Sequence, residues 1–198
     1  RARCNHGGVT VKLKEIIIDA DFCIKIGASS KYRYLERVLK ELAEKVYIHR
    51  VVYDEIIIPA CAKEQVDELI RQGILEVIDE SGLSPLERVV YQGVYQSLAK
   101  VMINPKKPKK NQGETCSLSM AKTKSIPYFA TDEKVLPLVI DKILNTGMGV
   151  DITCIRIEDI IYRIKTGELE GFKRKEAKVL WRLAGKSTDV FDKDIWVI

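Results

Sequence analysis

Residues 15–21 read Glu15-Ile16-Ile17-Ile18-Asp19-Ala20-Asp21. Three consecutive β-branched apolar residues followed at once by acids describe a buried strand whose C-terminal end carries carboxylates. Outward from this run, strands alternate with helices. Residues 31–45 place Leu35, Val38, Leu39 and Leu42 on one helical face. Val46-Tyr47-Ile48 reads as a short strand, and residues 50–58 as a helix that Pro59 stops. A helix over 60–71 ends at Gly73, and residues 74–78 form the next strand. Ser84-Pro85-Leu86-Glu87 has the form of a capping box and opens a helix to about Ile103. A Pro/Lys loop covers 104–113, and Glu114 opens a helix to about Lys124. Strands follow at 127–130 and 152–155, with a helix over 133–144 between them. Helices over 158–165 and 172–184 close the chain.

This alternation predicts an α/β fold: three layers, α/β/α, around a mainly parallel sheet of four to five strands, with a C-terminal helical extension. The length of 198 residues suits one domain with an appendage. Residues 1–11 read as a flexible tail without a secretory signal, 12–157 as the domain, and 158–198 as the basic extension. No apolar run approaches a membrane span.

The net charge of +5 is unevenly placed. Residues 100–124 carry +6 and residues 163–186 carry +5, which leaves the rest of the chain at −6. Two basic segments on an acidic body fit a polyanion partner, because Lys and Arg beside phosphates release counterions. Solvated faces are the plain alternative.

The five cysteines, Cys4, Cys23, Cys61, Cys116 and Cys154, include no C-x-x-C pair. Four of them sit inside apolar segments and read as small buried hydrophobes, in a reducing, cytoplasmic compartment. Of two histidines, only His49 falls outside the tail, which argues against a multi-histidine metal site. Chemistry in this chain therefore rests on carboxylates, or on a hard ion held by them.

In a parallel sheet, sites gather beyond the carboxyl ends of the strands. Asp19 and Asp21 follow the first strand, and Asp132, in Thr131-Asp132-Glu133-Lys134, follows a later one. Glu55 stands between Val51-Val52 and Ile56-Ile57-Ile58, and Glu114 opens a helix after Gly113. Each has an ordinary explanation: a helix cap for Asp19 and Asp132, an exposed helical position for Glu55, and a favourable macrodipole for Glu114.

Four stretches in order, Ile-Ile-Ile-Asp19-Ala-Asp-Phe, Val-Tyr-Asp-Glu55-Ile, Gly-Glu114-Thr-Cys-Ser-Leu-Ser-Met-Ala and Phe-Ala-Thr-Asp132-Glu-Lys, resemble a PIN domain. This is the metal-dependent nuclease family related to flap endonucleases. The resemblance spans roughly 12–157. It implies that Asp19, Glu55, Glu114 and Asp132 ligate one or two Mg²⁺ or Mn²⁺ ions and activate water against a phosphodiester of RNA. Asp21 is either an additional ligand or a support behind the ligands, and Thr131 matches the small hydroxyl residue often found before the last acid. On this reading Lys106, Lys107, Lys109 and Lys110 hold the RNA backbone, and Lys173, Arg174, Lys175 and Lys178 with Trp181 extend that surface. Trp181 has core packing as its ordinary explanation. Toxin-type members imply an antitoxin-like protein partner, and the family at large implies a homodimer. The chain departs from the small toxins in its Lys/Pro loop and its C-terminal extension, and its first motif reads Asp-Ala-Asp where many members have Ser, Thr or Asn after the Asp.

Two other readings stand beside this one. A PIN-like module that binds RNA without turnover would keep the same surface. The first motif also resembles that of haloacid-dehalogenase phosphatases, which implies Asp19 as nucleophile and Asp21 as acid/base.

Overall fold

The structure is a computed structural model and describes residues 12–197. The tail expected over 1–11, with Cys4 and His6, lies outside the described residues. Five strands form one sheet in the order β3-β2-β1-β4-β5: β1 (Leu13–Ile18), β2 (Ala43–His49), β3 (Leu75–Ile78), β4 (Tyr128–Ala130) and β5 (Thr153–Ile155). Every pairing is parallel, so the mainly parallel sheet expected from the alternation is wholly so.

Helices cover both faces, as a parallel sheet requires. One layer holds α1 (Ala20–Gly27), α2 (Tyr34–Leu42), α3 (Arg50–Glu55), α4 (Ala60–Arg71), α8 (Ile157–Thr166) and α9 (Arg174–Leu183). The other holds α5 (Pro85–Met102), α6 (Gln112–Lys124) and α7 (Leu136–Ile143). The pleat of β1 divides its isoleucines between them. Ile16 and Ile18 enter the first core, and Ile17 enters the second with Phe129, Leu118 and Met120. All three are fully buried, which is why the run is apolar without alternation. The capping box of α5 forms as read: Ser84 Oγ accepts from the Glu87 N–H at 3.3 Å, and Glu87 Oε2 accepts from the Ser84 N–H at 2.8 Å.

Several boundaries differ from expectation. The helix read over 31–45 stops at Leu42, and Ala43–Lys45 join β2. The helix read to residue 58 ends at Glu55. Helix α1 had no counterpart in the sequence reading. The C-terminal extension is not a loose appendage. Ala177, Leu180, Trp181 and Phe191 are buried in the core that covers β1 and β2. The four described cysteines are free; Cys23 and Cys116 are buried, while Cys61 and Cys154 are only half-buried. No helix among the described residues is long and apolar enough to cross a membrane.

The sheet order reverses direction between β1 and β4, whose neighbours lead away on opposite sides. This switch point opens a crevice at the carboxyl edge. Register sets what lines it. Ile18 pairs with Ile48 and with Ala130, and Ala130 pairs with Ile155. One residue further on, His49, Asp19, Thr131 and Arg156 therefore stand in a row across four strands.

Candidate active site

Asp19 occupies the switch point. Its backbone N–H donates to Ala130 O at 3.0 Å, which ties the end of β1 to β4. It is also the N-cap of α1, where its Oδ1 accepts from the Ala20 N–H at 2.7 Å. The Thr131 hydroxyl donates to Oδ2 at 3.4 Å and accepts from the Glu133 N–H at 3.2 Å. The cap explanation of Asp19 is thus correct, and so is its place in the crevice. The side chain is only 2% exposed. Burial first, then the field of Glu114 with smaller contributions from Asp21 and Glu55, pushes its carboxyl up to about 8 against the pull of the Ala20 N–H.

Glu114 lies in the first turn of α6. Burial raises its pKa, and Glu133 and Asp21 add to the rise, while its own backbone N–H and Lys110 oppose it. Glu55 is the last residue of α3 and is exposed, as its plain reading had it, yet its carboxylate leans against α6. A Cβ built on Gly113 would lie 2.8 Å from Glu55 Oε2, so the glycine is what lets the acid approach. Burial and the charge of Glu114 raise Glu55 as well. Asp21 is half-buried on the first turn of α1 and pairs with Lys25 at 2.6 Å.

Asp132 is 7% exposed and is not a helix cap, because α7 begins only at Leu136. Instead it is surrounded by cations. Lys25 Nζ stands 3.0 Å from Oδ2, Lys186 Nζ 3.2 Å from Oδ1, and Arg156 Nη2 4.0 Å from Oδ1. Oδ1 is nevertheless buried without a hydrogen bond among the described residues. Burial works to lower the Lys25 ammonium, but its bonds to Asp21 and Asp132 outweigh it and hold the pKa above the usual value. None of these three cations was singled out from sequence. The only signals were a Lys four residues after Asp21, a helical spacing, and the general basicity of the C-terminal segment.

The acids expected to act together are thus arranged around one crevice. Among the described residues, no three of these carboxylates bring oxygens within 4.8 Å of one another. An all-oxygen donor set, with Asp21 Oδ2 and Asp132 Oδ1 both buried without a hydrogen bond among the described residues, fits a hard divalent ion.

Of the basic residues, Lys106, Lys107, Lys109 and Lys110 lie on an exposed loop between α5 and α6. This loop is a chain of turns: the Lys107 N–H donates to Asn104 O at 2.8 Å, and the Lys110 N–H to Lys107 O at 3.0 Å. Lys110 and Glu114 share a groove of about 300 Å³ walled by Val101, Met102, Leu136 and Val139. Lys173, Arg174 and Lys175 start α9 in the opposite helical layer, where Arg37 anchors Gly171 O at 2.8 Å and Glu176 at 3.1 Å. Arg174 pairs with Asp192 at 2.7 Å, and Lys178 also pairs with Asp192. Trp181 is core: it packs on Phe191 with ring centroids 6.1 Å apart and donates from Nε1 to Ser187 O at 2.7 Å. The residue that this segment delivers to the crevice is Lys186. Comparison with family models, with curated proteins and with solved structures finds no match for this chain, so a functional reading has the crevice itself to rest on.

Proposed function

We propose that the chain is a metal-dependent ribonuclease of the PIN type, hydrolysing phosphodiester bonds with Mg²⁺ or Mn²⁺. The observation that carries this reading is Asp19, buried at the switch point of a parallel sheet and pushed up to about 8 by burial and by the neighbouring acids Glu114, Asp21 and Glu55. Groups held this far from their ordinary pKa in a cleft are candidates for chemistry. Among the described residues no cation is paired with Asp19, which suits a site that takes its positive charge from outside.

Asp19, Glu114 and Glu55 are the residues that would hold one ion, with Asp21 and Asp132 on the Lys25 side as further ligands. A divalent cation bound there supplies a lowered pKa for bound water and charge neutralisation at phosphorus. The rest is the work of the chain. Thr131 fixes the orientation of Asp19. Lys25, Arg156 and Lys186 give the crevice a cationic wall facing its acidic one, suited to the non-bridging oxygens of a phosphodiester. The turn-rich Lys loop leads the backbone of the substrate to Glu114, and the groove beside Lys110 offers apolar walls to a base or sugar.

The test is cleavage of end-labelled single-stranded RNA with Mn²⁺, comparing the wild type with Asp19→Asn. Cleavage that both chelation and the substitution abolish is the expected result. Cleavage that survives Asp19→Asn overturns the assignment of the site. RNA binding without cleavage by the wild type replaces it with the binding-module reading, and a covalent aspartyl-phosphate replaces it with the phosphatase reading.

A further inference from the structure

We propose that His49, Cys116 and Glu80 form a second metal site, separate from the acidic crevice and suited to a borderline transition ion, best matched by zinc(II). The three residues come from three elements: the end of β2, the 3₁₀ turn Glu80–Gly82 that follows β3, and α6. One donor atom from each lies within 4.8 Å of the other two. His49 is fully buried, and its Nε2 has no hydrogen-bond partner among the described residues. That nitrogen points at Glu80 Oε2, 3.6 Å away. Donors around tetrahedral zinc stand about 3.3–3.8 Å apart, so the His–Glu edge is already at ligand spacing and the thiol needs only a small approach.

Burial pushes the Cys116 thiol up and so opposes the thiolate until an ion binds, while other contacts favour ligation. The Tyr91 hydroxyl donates to Glu80 Oε1 at 2.6 Å, which leaves Oε2 turned to the histidine. Such outer contacts orient metal-binding carboxylates in general. His49 is fully buried with Nε2 facing Glu80, the placement a ligating imidazole needs. Cys116 and Glu114 are two residues apart on α6, which sets them on nearly opposite sides of the helix. One helix thus serves both sites without sharing a donor. The donor types also differ. Imidazole and thiolate select a borderline ion, while the carboxylates of the crevice select a hard one.

Two protons move on binding. Cys116 releases its thiol proton to solvent. His49 Nδ1 now accepts from the Val51 N–H at 3.2 Å, which places the ring proton on Nε2. Ligation through Nε2 moves that proton to Nδ1, which breaks the helix-capping bond and requires the Val51 N–H to turn away from the ring. The bound ion would tie the start of α3 to α6, and these two helices carry Glu55 and Glu114.

The test uses cobalt(II) as a spectroscopic stand-in, added to the full chain after chelator treatment, with no activity readout. We expect one equivalent of Co²⁺ to give a thiolate-to-cobalt charge-transfer band and intense tetrahedral visible bands, with zinc(II) displacing both. Cobalt bound to the carboxylates of the crevice has no sulfur ligand and gives no such charge transfer, so Asp19→Asn keeps the signal. Cys4→Ser, Cys23→Ser, Cys61→Ser and Cys154→Ser keep it as well. Cys116→Ser loses the charge-transfer band. Glu80→Ala, a change at an exposed position, weakens cobalt affinity tenfold or more, with thermal unfolding as the check on the fold. A wild type without the band, a band that survives Cys116→Ser, or affinity unchanged in Glu80→Ala would each overturn the proposal.

Discussion

Lys186 Nζ stands 3.2 Å from Asp132 Oδ1, so a lysine beyond α9 closes on the last acid of the crevice. Lys186 also pairs with Glu158 at 2.9 Å and is itself mostly buried. The C-terminal extension thus reaches the crevice through this ammonium. If Asp132 turns to a metal when one is bound, it must leave this lysine, and the cation competes with a fixed positive charge. Lys186→Met should then tighten Mn²⁺ binding by about tenfold, the scale of a unit charge several ångströms away in a partly screened site. The substitution should cost on the order of 1 kcal/mol of stability, since Lys25 still balances Asp132. Titration followed by Mn²⁺ paramagnetic resonance reads the affinity. Unchanged or weaker binding would mean that Asp132 anchors the extension and takes no part in ligation.

The acidic crevice should make the metal-free protein less stable as pH rises. The Asp19 carboxyl is held at about 8 in the fold against 3.8 ordinarily, and Glu55 and Glu114 are shifted in the same direction. Between these values the native state keeps a proton that the unfolded chain releases. The stabilisation is therefore complete below about 3.8 and is lost as pH rises through about 8. With chelator present, Asp19→Asn should exceed the wild type by on the order of 2 kcal/mol at pH 8.5 and lose that advantage at pH 4. Mn²⁺ should restore the wild type and leave the variant unmoved. Thermal unfolding across that range checks it, and a wild type that gains stability from pH 5 to 8 without metal would refute the assignment.

Gly113 sets the spacing between the two helical acids. An added Cβ meets Glu55 Oε2 at 2.8 Å and Val52 Cγ2 at 3.0 Å. The carboxylate can swing away, but Val52 is fully buried and must shift with α3. Gly113→Ala should cost about 1–3 kcal/mol by overpacking, despite the better helix propensity of Ala. It should also weaken divalent-ion affinity by moving Glu55 off Glu114. Isothermal titration with Mn²⁺, beside a denaturant melt, separates the two effects. Loss of stability at unchanged affinity would remove Glu55 from the ligand set.

The strands and their acids were legible because a buried parallel strand needs an apolar run, and the residue after it faces the crevice whatever it is. Ile16-Ile17-Ile18 followed by Asp19 carries both facts in four residues. Ala43–Lys45 were misread because Ala, Glu and Lys favour helix locally, while pairing of Ala43 with Leu13 and Lys45 with Glu15 claims them for β2. Helix α1 escaped because Ile24 and Ile26 with Phe22 look strand-like, although Asp19 at its cap was noticed. The cationic wall was illegible for a different reason. Lys25, Arg156 and Lys186 meet only after β1, β5 and the segment beyond α9 converge, and nothing local distinguishes them from surface charges. The His49–Cys116–Glu80 cluster has the same origin in tertiary packing.

The Lys loop offers the most direct test of what the crevice acts on. Lys106, Lys107, Lys109 and Lys110 are exposed, and their turns hold the backbone in place without using the ammonium groups. Lys106 N–H donates to Asn104 Oδ1 at 2.9 Å, and Asn111 Nδ2 donates to Met102 O at 3.0 Å, so replacing the lysine side chains leaves the scaffold intact. A single strand loses about 0.7 in its salt slope for each phosphate contact removed. Replacing all four lysines by Ala should therefore lower the slope of log K against log salt by about 2–3 and weaken RNA binding at low salt, with thermal stability almost unchanged. Lys110→Ala alone has a second effect, because Lys110 opposes the rise of the Glu114 carboxyl. Its loss should raise Glu114 further and move the alkaline-going limb of the rate profile to higher pH, which the other three substitutions should not do. Binding isotherms at several salt concentrations, together with single-turnover rates against pH, read both. A quadruple variant with an unchanged salt slope would place the RNA elsewhere on the molecule.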